Sequence, residues 1–195
     1  MQDKKHISVL ILAAGTSSRL GEPKQLLKLE EKELLWHATK KALDFSSDVT
    51  VVLGHKYEEC KKALEGLNIK ILRNPNYKDG LASSISYGVT NLDSCENILI
   101  MLCDQPLIPN EHYHSLIENY KKDSQNIVAT KYNSNLGVPA IFPKKYFESL
   151  KKLKGDKGAK SLLIENKCTF IQIEKNHAQD IDTKEDWERV LNTLS

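Results

Sequence analysis

Short runs that are apolar from end to end, separated by stretches with helical spacing, constrain this chain more than any other feature. Ile98-Leu-Ile-Met-Leu102 contains no polar residue, and Ile7-Ser-Val-Leu-Ile-Leu12 and Val49-Thr-Val-Val-Leu53 each carry a single hydroxyl. A strand with one face in water alternates apolar and polar residues, whereas a strand apolar throughout is covered on both faces. Ile69–Leu72 reads as a further strand. The segments between have helical spacing: 33–43 (with Leu34, Leu35, Ala38, Ala42 and Leu43), 57–64, 83–92, and a helix capped by Asn110 that runs to about Lys121. Strands alternating with helices predict an α/β fold, a mostly parallel sheet with helices on both faces. After Asn126 the pattern loosens. Ile127–Ala129 and Pro139–Phe142 read as strands, 144–153 and 159–165 as helices. Thr183-Lys-Glu-Asp186 reads as a cap opening a last helix that carries Trp187, Val190 and Leu191.

The 195 residues favour a single domain over 1–195, long enough for a core without disulfides or structural metal. The 28 Lys and Arg against 26 Asp and Glu leave a net charge of +2. This near-balance predicts neither nucleic acid nor an anionic membrane as partner. No apolar run approaches the roughly 20 residues of a membrane span, and the first six residues lack the apolar segment of a secretory signal. Cys60, Cys95, Cys103 and Cys168 are widely spaced and fit no zinc pattern, so they read as reduced thiols in the cytoplasm. His6, His37, His55, His112, His114 and His177 form no ligand pattern. Lys144-Lys145 and Lys151-Lys152 read as a solvated helix face.

The segment after the first strand carries the chemistry. Ligands of open α/β sheets sit beyond the carboxyl ends of the strands, and Leu12-Ala13-Ala14-Gly15 lies at such an end. Small residues let a ligand approach the backbone, and Thr16, Ser17 and Ser18 offer hydroxyl and N–H donors to phosphate oxygens. Arg19 and Lys24 add two cations suited to a polyphosphate whose charge grows during transfer. On composition alone, an ordinary strand-to-helix loop fits equally well. The spacing is neither that of a P-loop nor of a GxGxxG turn.

The stretch from Leu12 to Leu27 resembles the signature of the MobA-like NTP transferase family, in particular its branch of molybdenum cofactor cytidylyltransferases. Further segments follow in the family's order. Asn74-Pro-Asn-Tyr-Lys-Asp-Gly80 with Ser83 and Ser84 is similar to the family's nucleotide-contacting segment. Leu102-Cys-Asp104-Gln-Pro106 resembles its Gly-Asp-x-Pro, with Cys103 in place of Gly. Asp180-Ile-Asp182-Thr183 resembles its segment before the last helix, where Asp180 on its own reads as surface charge. Gly137-Val-Pro139-Ala140 and Gly155-Asp156-Lys-Gly158-Ala-Lys160 resemble its acceptor-side segments, with Lys160 where Arg is usual.

The resemblance implies a Rossmann-like three-layer nucleotidyltransferase fold and transfer of CMP from CTP, or of another nucleotide, to a phosphorylated small molecule, preferably molybdopterin. Mg²⁺ is the implied cofactor, with Asp104 and Asp182 as its ligands and Arg19, Lys24 and Asp104 as the catalytic set. Leu12–Gly15, Asn74, Gly80, Ser83 and Ser84 would hold the nucleotide. Gly137, Pro139, Asp156 and Gly158 would meet the acceptor. A molybdoenzyme or its chaperone is an implied partner. The same chemistry on another acceptor, and a nucleotide-binding module without turnover, are the alternatives.

Overall fold

The computed structural model describes residues 7–92 and 95–194; His6 and the residues before it lie outside this range. Its centre is β1 (Ser8–Ala13), every residue of which is buried. Then follow the short β2 (Lys28–Leu29) and β3 (Lys32–Glu33), α1 (Leu34–Leu43), β4 (Val49–Leu53), α2 (Tyr57–Ala63), β5 (Lys70–Arg73), α3 (Leu81–Thr90) and β6 (Asn97–Leu102). The second half contains α4 (Asn110–Lys122), β7 (Ile127–Tyr132), β8 (Asn135–Pro143), α5 (Phe147–Lys151), α6 (Lys160–Glu165), β9 (Cys168–Gln172) and α7 (Lys184–Leu194).

Seven strands form one sheet in the order β5-β4-β1-β6-β8-β7-β9. All neighbours are parallel except β8, which runs antiparallel to both β6 and β7. Side chains of a strand point alternately to its two faces, and both faces of this sheet are covered. Val9, Ile11 and Ala13 of β1, with Leu99, Met101 and Cys103, pack against residues of α1, α2 and α4. Leu10, Leu12 and Ala14, with Ile98 and Ile100, pack against residues of α3, α5 and α6. Two covered faces explain why the central strands read as unbroken apolar runs. Gly88 lets α3 lie close on the sheet, since a Cβ there would meet Leu10 Cδ2 at 2.6 Å.

The chain leaves β1 toward β4 and β5 on one side and returns to β6 on the other. The strand order therefore reverses between β1 and β6, which opens a crevice at their carboxyl ends. Leu12 pairs with Leu102 there, so the turn after Ala13 and the Cys103-Asp104 step flank that crevice.

The structure differs from the sequence reading at several points: β7 runs on to Tyr132, β8 starts back at Asn135, and the short β2 and β3 were not expected. Helix α3 starts at Leu81 rather than Ser83, because Gly80 (φ +92°) ends the preceding turn in a conformation that favours glycine. The expected 144–153 helix is a 3₁₀ turn at Lys144–Tyr146 followed by the short α5. Strand β9 was not expected. It is an edge strand whose Phe170 is exposed, so it lacks the buried pattern that marks the central strands.

Candidate active site

Strand β1 delivers the loop 14–24 to the crevice, and the loop holds its shape through residues of its own. Ser17, at φ +54°, accepts the N–H of Leu20 and of Gly21 on its carbonyl, and its Oγ accepts the Lys24 N–H at 3.1 Å. The buried Gln25 donates from Nε2 to the carbonyls of Ala13 (3.0 Å) and Gly15 (2.7 Å), which ties the far end of the loop back to its start. Gly15 has no left-handed φ, and a Cβ there would meet nothing within 4 Å. Neither turn geometry nor packing demands glycine at this position; the open space above it is where a ligand can reach the backbone.

A third apolar cluster, Leu20, Leu27, Leu34, Leu107, Ile181 and Val190, packs this loop against the segment leading into α7. The backbone of that segment is pinned to the end of β6 where the Ile181 N–H donates to the Asp104 carbonyl at 3.0 Å. Two carboxylates from distant parts of the chain are thereby brought to one ammonium. Lys24 Nζ donates to Asp104 Oδ2, to Asp182 Oδ1 at 3.1 Å and to the Ile181 carbonyl at 3.2 Å. Burial alone would lower the pKa of this ammonium, but the touching Asp104 carboxylate outweighs burial and holds it above the ordinary lysine value. Arg19, more exposed, reaches Asp182 Oδ2 at 2.7 Å. Asp104 Oδ1 is buried and has no hydrogen-bond partner. An orphaned carboxylate oxygen in a site that gathers cationic charge is suited to a hard divalent ion.

These groups face a cavity of about 660 Å³. Of the predicted nucleotide and metal residues, Leu12, Ala13, Ala14, Gly15, Arg19, Lys24, Gly80, Ser84, Asp104 and Asp182 line it. Asn74 and Ser83 line the neighbouring groove instead. Asn74 is buried and acts as a tie: its Nδ2 donates to Ser83 Oγ (3.1 Å) and Ser84 Oγ (3.2 Å), and its Oδ1 accepts the Asn76 N–H (2.9 Å). Cys103 is accommodated by turning its thiol into the core, where burial pushes its pKa up and keeps it protonated.

A second cavity of about 340 Å³ adjoins the first across Leu12, Leu81 and Leu102. Gly137 and Gly158, both expected on the acceptor side, line it, as do Lys157 and Lys160. Asp156 lines the first cavity, where its Oδ1 lies 2.1 Å from the point a Cβ on Gly80 would occupy. Pro139 is buried in β8, its carbonyl accepting from Thr130 Oγ1 at 2.7 Å.

Asp180 is reached by solvent, as a surface charge would be, yet it lines the second cavity and accepts from Gln105 Nε2 at 2.8 Å. Surrounding protein pushes its carboxyl up to about 6, with the Asp104 carboxylate adding to the effect of burial. His112 is buried against Thr130 Oγ1 at 2.8 Å. Gln25 and Gln105 were missed. Gln25 stands between Lys24 and Leu26 and Gln105 between Asp104 and Pro106, so no local pattern marks either as a buried amide with a fixed partner.

Residues 9–169 match the MobA-like NTP transferase domain. The chain is 33% identical over 103 residues to the molybdenum cofactor cytidylyltransferase of Escherichia coli (strain K12), covering 52% of this chain and 53% of that protein. It is 36% identical over 109 residues to the bifunctional protein GlmU of Aliarcobacter butzleri (strain RM4018), covering 54% of this chain and 24% of that protein. The match thus spans about half of the first relative and a quarter of the second. Over its whole length the fold is similar to the crystal structure of the Mycobacterium tuberculosis Rv0371c homologue from Mycobacterium sp. strain JC1. The TM-score is 0.82 and the identity 31%, with 96% of each chain covered. With the domain matched over residues 9–169, well over half of the chain, the chain belongs to the MobA-like NTP transferase family, a family of nucleotidyltransferases.

Proposed function

We propose that this chain transfers CMP from CTP to the phosphate of molybdopterin and releases pyrophosphate, with Mg²⁺ as its metal. Nucleotidyl transfer rests on one observation above the others: Lys24, Asp104 and Asp182 converge beside a glycine turn that leaves room for a phosphate chain. The likeness to the Escherichia coli cytidylyltransferase supports the choice of donor and acceptor.

In the reaction an oxygen of the acceptor phosphate attacks the α-phosphorus of CTP in line. The new P–O bond forms as the bond from the α-phosphorus to the oxygen bridging the β-phosphate breaks, and that electron pair leaves with pyrophosphate. Protein groups contribute alignment and charge rather than covalent chemistry. Arg19 and Lys24 neutralise the phosphates that leave. Gly15 and the N–H groups after it let the triphosphate lie against the backbone. Asp104 and Asp182 would hold the ion, which supplies positive charge to the phosphate oxygens. Among the described residues no group of three or more His, Cys, Asp or Glu gathers as a metal site, so phosphate oxygens and water would complete its coordination. Ala14 lines the cavity where the family's guanylyl-transferring branch has glycine, and its methyl favours the smaller pyrimidine by narrowing the site.

A pyrophosphate-release assay with CTP, GTP, ATP and UTP against molybdopterin and a panel of sugar and polyol phosphates tests this reading. The expected result is the highest kcat/KM for CTP with molybdopterin, full dependence on Mg²⁺, and loss of most turnover in Asp104→Asn without unfolding. Ala14→Gly should move the CTP/GTP ratio toward GTP. A wild type that prefers GTP would remove the cytidylyl assignment, and preference for a polyol phosphate would replace the acceptor.

A further inference from the structure

Gln105 occupies an unusual position among acceptors. It is 7% exposed, and both neighbours of its amide nitrogen can only receive a proton. Tyr132 spends its hydroxyl proton on the Val138 carbonyl at 2.5 Å, so its oxygen is free only to accept, and it does so from Gln105 Nε2 at 3.2 Å. Asp180 Oδ1 accepts from the same nitrogen at 2.8 Å. Reversing the amide would set its oxygen against a carboxylate and a hydroxyl oxygen, so the orientation is fixed by its neighbours. Gln105 Oε1 is left buried without a partner. An amide kept in this arrangement, with one oxygen unsatisfied, does work for another group. The group it holds is Asp180.

One Asp180 oxygen is anchored by Gln105, and the carboxylate lies on the wall of the second cavity, open to solvent. Lys157 and Lys160 line the same cavity and are exposed. The cavity thus offers cations for a phosphate and an oriented hydrogen-bond acceptor for the rest of the molecule. A carboxylate there repels any further anionic group on the ligand and pairs with N–H or O–H donors.

We propose that Asp180, oriented by Gln105, selects the acceptor substrate by reading N–H or O–H donors on its head group while Lys157 and Lys160 meet its phosphate. This assignment rests on the nucleotidyl-transfer reading above. It makes Asp180 a specificity residue and Gln105 a positioning residue, both outside the groups that hold the nucleotide. Donors of this kind come from a heterocycle's N–H edge or from the hydroxyls of a polyol, and the two acceptors used in the test separate these sources.

The test uses the full chain with saturating CTP and Mg²⁺, and molybdopterin or a polyol phosphate as varied acceptor. Asp180→Asn, Asp180→Glu and Gln105→Met are compared with wild type. Loss of a charge-assisted hydrogen bond should raise the acceptor KM roughly ten- to a hundredfold in Asp180→Asn and Gln105→Met. The KM for CTP and the Mg²⁺ half-saturation should stay within about twofold. Asp180→Glu, which keeps the carboxylate, should recover part of the loss, although Asn is the closer isostere. Tolerance of Asn with failure of Glu would mean that shape rather than charge matters and would overturn the proposal. So would an unchanged acceptor KM, an equal rise in the CTP KM, or a shifted Mg²⁺ requirement, which would make Asp180 a metal ligand. If wild type rejects molybdopterin but turns over the polyol phosphate, the acceptor reading fails. The role of Asp180 is then judged by the same KM split on the polyol phosphate.

Discussion

Lys24 places its ammonium between Asp104 and Asp182 on a side chain that is 17% exposed, whereas Arg19, from the same loop, is 71% exposed. Both carry charge to the same cavity, so truncating either should cost turnover on the order of 10²-fold. Their effects on stability should diverge. Arg19→Ala removes a solvent-exposed pair and should cost less than about 1 kcal/mol. Lys24→Ala leaves the Asp104 carboxylate, 10% exposed, without its cation and should cost about 3 kcal/mol. Added Mg²⁺ should restore part of that loss in Lys24→Ala and little in Arg19→Ala, since only the former leaves a vacant cation position between carboxylates. Urea unfolding of both variants with and without Mg²⁺ measures this; equal losses would show that Lys24 is not the partner that offsets the burial of Asp104. From sequence the two look alike, as basic residues on one polar loop. Burial is set by Ile181 and Val190 packing on that loop from the far end of the chain, and no local pattern reports it.

At the scale of elements, the entry into α7 sets where Asp182 stands. Asp186 Oδ2 accepts from the N–H of Asp182 (3.1 Å) and of Thr183 (2.8 Å) and from Thr183 Oγ1 (2.9 Å), while Thr183 Oγ1 accepts the Asp186 N–H (3.2 Å). This reciprocal cap is the one the sequence announces in Thr183-Lys-Glu-Asp186. Asp186→Ala should cost about 1–2 kcal/mol and also reduce turnover, because the freed turn no longer aims Asp182. Burial raises the pKa of Asp186, but hydrogen bonds from Thr183 and Arg189 outweigh it and hold the carboxyl at about 2. A depressed carboxylate stabilises the fold above its unfolded pKa of 3.8 and loses that contribution as pH falls toward 2. The stability gap between wild type and Asp186→Ala should therefore close over that window. A gap unchanged by acid, in denaturant titrations at fixed ionic strength, would mean the cap acts through shape alone. Other elements were less legible. Strand β9 is half exposed at a sheet edge, and α3 begins early because of the Gly80 conformation; both follow from tertiary placement rather than periodicity.

Across the whole molecule, the first cavity is built from segments that only the fold brings together. The hydrogen bonds of Lys24 reach residues 80 and 158 positions away. What the sequence does show is the frame: central strands apolar enough to be buried twice, and a small-residue turn at the end of β1. The choice between ligand contact and internal tie was not readable, as Asn74 demonstrates, because it depends on which side of α3 the side chain meets. A ligand that spans loop 14–24, Asp104 and Asp182 must bind the assembled fold and not the unfolded chain, so it stabilises the protein by mass action. At a hundredfold excess over its Kd, CTP with Mg²⁺ should add about 2.7 kcal/mol. For a chain of 195 residues, 1 kcal/mol moves Tm by roughly 2–4 °C, which gives an upward shift of roughly 5–11 °C. EDTA should remove most of the shift, because without the ion Asp104 and Asp182 face the triphosphate as bare carboxylates and repel it. Asp104→Asn should show a smaller dependence on Mg²⁺ than wild type, having one ligand fewer. Calorimetric scans over a CTP series decide the matter: a Tm indifferent to CTP and Mg²⁺ would mean that the convergence of Lys24, Asp104 and Asp182 is a structural ion cluster and that the nucleotide binds elsewhere.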